Sequence, residues 1–564
     1  MVSEFSKGDL LAVGVKKRSW FSRRLLFVFV MFLVFCVVMF YFCFVPSRLV
    51  ISPDTTFVTE YLTPEGLPDY SAAYLKKNNA QLQNHEDNGY RLVLEAFGPY
   101  ILWHTIMKNI AWEDLPTHRK YGRWYTGTWV PICEAMSIDP TKKPKEYTSI
   151  YDFYVEAIGQ DSEAKKLRKL RQKLKELGAK PWRTEAHPEI AELLNQSAEA
   201  LDLFSFAAKK PIWICYQPQN NLAHRLNPIF CWDVASLYSV CVDLSIRVSR
   251  RLGENDVVGA LDDAFAILRI ARHYKSHYTY YEHRRAFEME EIGMKSLQSI
   301  LVYGNLNSDQ IRQLLKEFDS LPKHEDSFEK FVQFEKLVYL EAILSPLKHD
   351  LWRGIVYENL DHNISDHHTA IELIWHKPYI KKILELPVDL NYAAKRGLLR
   401  WRFLDSAAKE KDIRKRWQLI EEHYDEARNI YNQIFNLQVM SLTPLIRIRS
   451  QVFADIIFNK FGCSAVFLYY TKEEKKIVTI HNLFYVSSAL ELYQRDNGNY
   501  PDSLDAITPK YLEKIPIDFF STDNKFTYKK TDTGYILYSF GLNEKDDGGE
   551  EKEGYGDIIV ERKK

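Results

Sequence analysis

The chain has 564 residues, and its 75 Lys and Arg balance its 75 Asp and Glu. That balance leaves no global field for nucleic acid or another polyanion, and 34 Tyr, 32 Phe and 12 Trp argue against a disordered chain. The length implies two to four domains at roughly 100–200 residues each.

The first element is Leu25 to Val45, LLFVFVMFLVFCVVMFYFCFV, a run without charge, Pro or Gly. As a helix it spans about 31 Å, the thickness of a bilayer's hydrocarbon core. Lys16, Lys17, Arg18, Arg23 and Arg24 precede it, and only Arg48 follows closely, which places the N-terminus on the cytoplasmic side. The run outlasts a signal peptide's apolar region and lacks an A-x-A cleavage pattern. Tyr41 and Phe42 are too bulky for a lipoprotein signal before Cys43. These features predict a cytoplasmic basic tail at 1–24, an uncleaved transmembrane signal-anchor at 25–45, and an exported remainder.

Residues 46–226 read as a mixed, mainly helical region. Asp54 to Thr59 is polar and β-branched, and Thr63-Pro64-Glu65-Gly66-Leu67-Pro68 is a turn. Helices follow within 69–110. The aromatic stretch Tyr121 to Trp129 suits loop and core packing better than a carbohydrate-stacking platform. Residues 161–177 predict an amphipathic helix. Leu167, Leu170, Leu174 and Leu177 make its apolar stripe, and Lys165, Lys166, Arg168, Lys169, Arg171 and Lys173 cover its other faces. A solvated face is expected, with anionic lipid heads as the alternative partner.

Residues 227–470 are helical almost throughout. Val234, Leu237, Tyr238, Cys241, Leu244 and Val248 form one stripe; Leu261, Ala264, Phe265, Leu268 and Ala271 form the next, after a break at Arg251-Leu252-Gly253. Two such helices on a short link predict an antiparallel hairpin. Asn307 with Gln310 three residues on is a capping box. Further helices are expected near 327–345, 366–376, 407–435 and 443–470, without a repeat of fixed period.

Candidate chemistry is sparse. Of seven cysteines, Cys36 and Cys43 lie in the apolar run. Cys133, Cys215, Cys231, Cys241 and Cys463 read as buried free thiols, although Cys231 could pair with Cys241 or Cys215. His368, Glu372 and His376 share a helix face and, with His362, make the best metal-like cluster, yet H-E-x-x-H is absent. His273 and His277 are expected on an exposed helix. Glu282, His283, Arg284, Arg285, Glu288, Glu290 and Glu291 predict intrahelical ion pairs rather than acid–base machinery. No G-x-S-x-G, Walker A or strand-borne G-x-G-x-x-G occurs.

Residues 471–564 change character. Ile480, Leu483, Val486, Leu490 and Tyr493 run down a helix that stops at Asp496-Asn497-Gly498. A short helical turn at 502–507 follows, then strands at 526–529 and 535–540, a polar loop from Leu542 to Gly556, and a last strand at 557–560. This is a small α+β unit. Ala489-Leu490-x-x-Tyr493, Asn497-Gly498-x-Tyr500-Pro501, Leu504, Tyr511-Leu512, Ile515-Pro516-x-Asp518, Tyr538-Ser539-x-Gly541 and Asp557-Ile558 resemble the C-terminal domain of type II secretion major pseudopilins. That resemblance implies a calcium loop. Asn543, Asp546, Asp547 and Asp557 could supply oxygens, together with the Leu542 carbonyl. The family's Asp-Pro pair is Asp518-Phe519 here, and Lys545 stands among the ligands.

Ile51-Ser52-x-x-Thr55-Thr56, Asp69-Tyr70-x-Ala72-Ala73, Asn88-Gly89 and Ala96-Phe97-Gly98-Pro99 are similar to the start of membrane-anchored, planctomycete-type envelope proteins. That resemblance implies a bacterial inner-membrane protein, with its bulk in the periplasm and protein partners in the envelope, but no known reaction. The expected fold class is mainly α: a single transmembrane helix, a helical-hairpin region and the α+β tail. The expected function is an envelope scaffold or interaction protein. The alternatives are a tethered hydrolase or metalloenzyme centred on His362–His376, and a ligand-binding helical domain. No acid occurs between Asp9 and Asp54, so the apolar run is an anchor rather than a pseudopilin filament helix.

Overall fold

The computed structural model describes residues 24–40, 48–80, 86–99, 101, 129–158, 164–214, 232–323, 327–344, 388–436, 446, 450–451, 454–455, 463–550 and 556–562. Within these, the protein is mainly helical, with one small antiparallel sheet near its C-terminus. Helix α1 covers 24–40. It is followed by α2 (Tyr70–Asn79), α3 (Gly89–Phe97), α4 (Val130–Ala135), α5 (Ile150–Ile158), α6 (Ala164–Leu177), α7 (Pro188–Gln196) and α8 (Ala198–Ala207). Then come α9 (Trp232–Gly253), α10 (Val257–Lys275), α11 (Tyr280–Tyr303), α12 (Ser308–Asp319), α13 (Ser327–Leu344), α14 (Leu390–Lys409), α15 (Ile413–Asn436) and α16 (Cys463–Asn497).

The chain divides into two units. One takes Met1–Thr59, Tyr339–Phe403 and Asp425–Gly462; the other takes Glu60–Val338, Leu404–Tyr424 and Cys463–Lys564. In the first, every large apolar side chain of α1 from Leu25 to Phe40 is exposed, from 42% at Met39 to 65% at Phe27. Among the described residues no helix is long and apolar enough to cross a membrane. The described part of the run reaches about 24 Å at 1.5 Å per residue, and 41–45 lie outside the described residues. Asn391 pins the loop that follows: its side chain donates to the Arg48 carbonyl at 2.8 Å and accepts from the Val50 amide at 2.7 Å. Trp401 is fully buried beside Tyr339.

The second unit is built on α9, α10 and α11. The α9–α10 hairpin forms as the sequence predicts, because Asn255 takes a positive φ and Asp256 caps α10 through the Gly259 amide at 2.9 Å. The expected stripe on α10 is too narrow. Leu261 is only half-buried, whereas Asp263 through Leu268 are all buried, since α10 has neighbours on several sides. A Cβ on Gly293 of α11 would sit 2.7 Å from Leu268, so glycine permits the close approach of α10 and α11. The predicted cap is present, with Asn307 and Gln310 opening α12, and a second capping box, Thr279 with Glu282, opens α11. The expected 407–435 helix is divided. Helix α14 ends at Lys409, and Asp412 accepts from the Arg414 amide at 3.0 Å to start α15.

Helix α16 passes residue 471 without interruption, because no Gly or Pro stands between Cys463 and Asn497. Gly498 ends it in the left-handed region, φ +78°, as the sequence predicts. The tail's strands are β1 (Thr527–Thr531), β2 (Gly534–Ser539) and β3 (Ile558–Arg562), in the order β1-β2-β3 and antiparallel. Leu483, Val486, Ala489 and Leu490 of α16 pack with Tyr500, Ile507, Phe526, Tyr535, Leu537 and Val560 as one apolar cluster. Each such buried side chain contributes roughly 1.5–3 kcal/mol.

Candidate functional site

Three polar assemblies stand out in the second unit. The first gathers residues far apart in sequence. Asn88, the N-cap of α3, accepts from Tyr90 N and Ile214 N, while its amide donates to the Ile214 carbonyl at 2.8 Å. This fixes the segment 212–214, whose Trp213 stacks on His273 at 5.3 Å. The Trp213 carbonyl accepts from His277 Nε2 at 3.0 Å, and His277 Nδ1 meets Glu282 Oε1 at 2.9 Å. Asp233 Oδ2 accepts two phenols, Tyr90 at 2.7 Å and Tyr274 at 2.6 Å. Burial alone would lower His277's pKa, but the Glu282 carboxylate and the hydrogen bonds outweigh it and raise it. Both ring nitrogens of His277 are thus engaged within the protein. The assembly therefore acts as a buried joint among four chain segments.

The second assembly is a charged seam. Glu290 on α11 is fully buried. Its Oε1 lies 2.6 Å from Arg272 Nη2 and 2.9 Å from His481 Nε2, and its Oε2 lies 2.6 Å from Lys275 Nζ. One residue on, Glu291 meets Lys476 of α16 at 2.7 Å. On the same helix Glu474 receives Arg416 and the Trp417 indole, each at 2.8 Å. Burial would raise Glu290, but Arg272 and Lys275 hold it well below the usual carboxylate range. Burial, with Arg272 and Lys275 nearby, lowers His481.

Two other buried carboxyls are held near neutrality. Burial pushes Asp243 up to about 8 against hydrogen bonds from Tyr147 and Ile150, and Glu335 up to about 8 against one from the Tyr280 amide. Such values suit acid–base work. Asp243, however, is 1% exposed and spends Oδ2 on the Tyr147 hydroxyl at 2.8 Å.

The third assembly is the tail loop. Asn543 donates to Asp547 Oδ2 at 2.7 Å, and Asp557 accepts the Asp547 and Gly549 amides at 3.3 and 2.7 Å. Asp546 accepts from the Tyr538 hydroxyl at 3.1 Å and the Gly548 amide at 2.8 Å. Asn543, Asp547 and Asp557 are thus brought together, while Asp546 turns toward β2. The donor set is all oxygen, which suits a hard cation, though both Asp557 oxygens already accept amides. Among the described residues no group of three or more His, Cys, Asp or Glu is placed to hold a metal ion. A Cβ on Gly541 would strike the Gly556 carbonyl at 2.1 Å, so glycine lets the two ends of the loop meet. Asp518 accepts from the Ser539 hydroxyl at 2.6 Å and ties the preceding loop to β2.

Several sequence expectations change. His273 and His277 are not on an exposed face: they stack and bond in the first joint. Within this run Glu288 makes the expected intrahelical pairs with Arg284 and Arg285 at 3.2 and 2.5 Å, and Glu291 makes one with Lys295 at 3.3 Å. Glu282 also reaches His277, Glu290 reaches Arg272, Lys275 and His481, and Glu291 also reaches Lys476, all outside the helix itself. Cys133 and Cys241 are buried free thiols, and burial pushes Cys133 up to about 12. The His362–His376 cluster, Tyr121–Thr128, Cys215 and Cys231 lie outside the described residues.

A usable signal for Glu290 does exist in the sequence. It interrupts the line Ala286, Gly293, Leu297, Ile300, whose other members are all buried. A charge at a core position announces a distant partner. The chain matches no protein-family model, no curated protein and no solved structure.

Proposed function

We propose that this protein is a bacterial inner-membrane scaffold, anchored through Leu25–Val45, whose exported helical body presents a pseudopilin-like α+β tail to protein partners of the envelope. The observation that carries the reading is α1, whose large side chains from Leu25 to Phe40 are all exposed to solvent. A contiguous apolar surface of this extent needs a membrane or a partner to cover it. The uncharged run continues to Val45, so a bilayer is the occupant that its length and flanking charges favour. Asp233, His277 and Glu290, the buried polar centres of the body, are engaged in internal contacts, which supports a scaffold over a hydrolase.

Fractionation tests the anchor. The full chain should stay in membranes through alkaline extraction, and Phe35→Arg, at about 2.5–3.5 kcal/mol against insertion, should weaken that retention. A wild-type chain that alkali removes would sink the reading. We further propose that the 543–557 loop takes calcium through Asn543, Asp547 and Asp557, with Asp546 completing the set. Calcium should raise the unfolding midpoint of the full chain, and Asp547→Ala should remove the increment. Absence of a shift in the intact chain would remove calcium from the proposal while leaving the anchor standing.

A further inference from the structure

We propose a second membrane contact: the exposed face of α6, with the aromatic edge of α5 beside it, is a surface for anionic lipid headgroups. The proposal deepens the anchored reading and rests on it. Seven of the eleven residues from Lys165 to Lys175 are cationic, in a chain whose formal net charge is zero. The structure orients this density. Leu170 and Leu174 are buried, and Lys166, Lys169 and Lys173, at i, i+3 and i+7, share a face that is exposed.

Elsewhere in the unit lysines are drawn into ion pairs, as at Lys209–Asp262, Lys336–Asp405 and Lys476–Glu291. Among the described residues no carboxylate pairs with Lys166, Lys169 or Lys173. The nearby acid Glu176 accepts from Gln172 on the same helix.

A second observation comes from α5. Phe153 is 38% exposed and meets Tyr154 edge-on at 5.5 Å, and Lys173 Nζ stands 5.0 Å from the Tyr154 ring centre. A lysine face edged by exposed Phe153 and half-buried Tyr154 combines the two residue types that settle at a bilayer's interface. Each lysine brought to an anionic surface improves partition about fivefold. A chain already tethered to the bilayer meets that surface at high effective concentration.

The test uses the full chain reconstituted into vesicles of phosphatidylcholine alone or mixed with phosphatidylglycerol. Acylation by a water-soluble reagent is followed at Lys166, Lys169 and Lys173, with exposed Lys142 as the internal reference. In the mixed vesicles labelling of the three should slow about tenfold and recover at about 1 M salt. Amide exchange over 164–177 should slow with anionic lipid in the wild type. It should not slow in Lys166→Gln/Lys169→Gln/Lys173→Gln, a surface change that leaves Leu170 and Leu174 in place. Equal labelling in both vesicle types overturns the proposal, and so does equal protection in phosphatidylcholine alone. Flotation with phosphatidylcholine reads the anchor by itself, so its failure and failure of the α6 contact are separate results.

Discussion

The two halves of α16 are buried by different mixtures of contacts. Up to His481 the helix adds a line of charged contacts, Glu474 on Arg416, Lys476 on Glu291 and His481 on Glu290, to the packing of Phe467, Tyr470, Ile477 and Ile480. From Leu483 onward apolar packing against the tail predominates, with buried Glu491 accepting from the Tyr500 hydroxyl. Apolar packing stabilises without specifying much, since it tolerates sliding and repacking. A buried ion pair stabilises little in net terms, but it penalises every arrangement that leaves one charge alone. The contrast teaches that the ion pairs of the first half penalise misaligned arrangements, while apolar burial in both halves supplies stability.

The largest effect should come from breaking the charged half. Glu290→Gln strands Arg272 and Lys275 in the interior and should cost about 3–5 kcal/mol, read as a lower urea midpoint. Replacing the cluster together, as Arg272→Met/Lys275→Met/Glu290→Leu, should recover most of that loss. If Glu290→Gln is neutral, the seam does not set register. In the apolar half, Leu490→Ala should cost about 3 kcal/mol through lost burial and a residual cavity, with no change in pH dependence.

Acidity separates the halves next. The folded pKa of Glu290 is depressed, so its contribution is complete above the ordinary glutamate range and disappears as pH falls through the depressed value. Wild-type stability should therefore drop in acid, and Glu290→Gln should flatten that drop. Glu335 has the opposite sign. Its raised value favours the protonated folded state, so stability falls as pH climbs through about 8. Glu335→Gln should gain on the wild type at alkaline pH, measured as a shift in melting temperature against pH. The smallest effect is local: Asn307→Ala removes the α12 cap and should cost about 1 kcal/mol, whichever half is probed.

What the sequence made legible was local. Asn307–Gln310, the α9–α10 hairpin, Gly498 and the three tail strands depend on neighbours within a few residues, and the pattern of those neighbours is written in the chain. The charged seam was not legible in the same way. Glu290 and His481 stand 191 residues apart (481 − 290), and the alternating acids and bases around Glu290 invite a local pairing that Glu288 and Glu291 make and Glu290 does not. The core position of Glu290 carried the missing information, because helical periodicity places it among buried residues. In the tail loop, the acidic residues of the sequence came with no indication that Asp557 would spend both oxygens on backbone amides.

The unbroken course of α16 bears on how the tail could be inherited or transplanted. A copy cut at residue 471 would begin with a helical stub carrying Lys472, Lys475 and Lys476 at its positive dipole end, parted from Glu421 and Glu291. A copy cut at Leu483 would keep the apolar cluster and leave the charged stem behind. A transplant of the tail would therefore have to start inside a helix, and its recipient would have to bring a stem of its own.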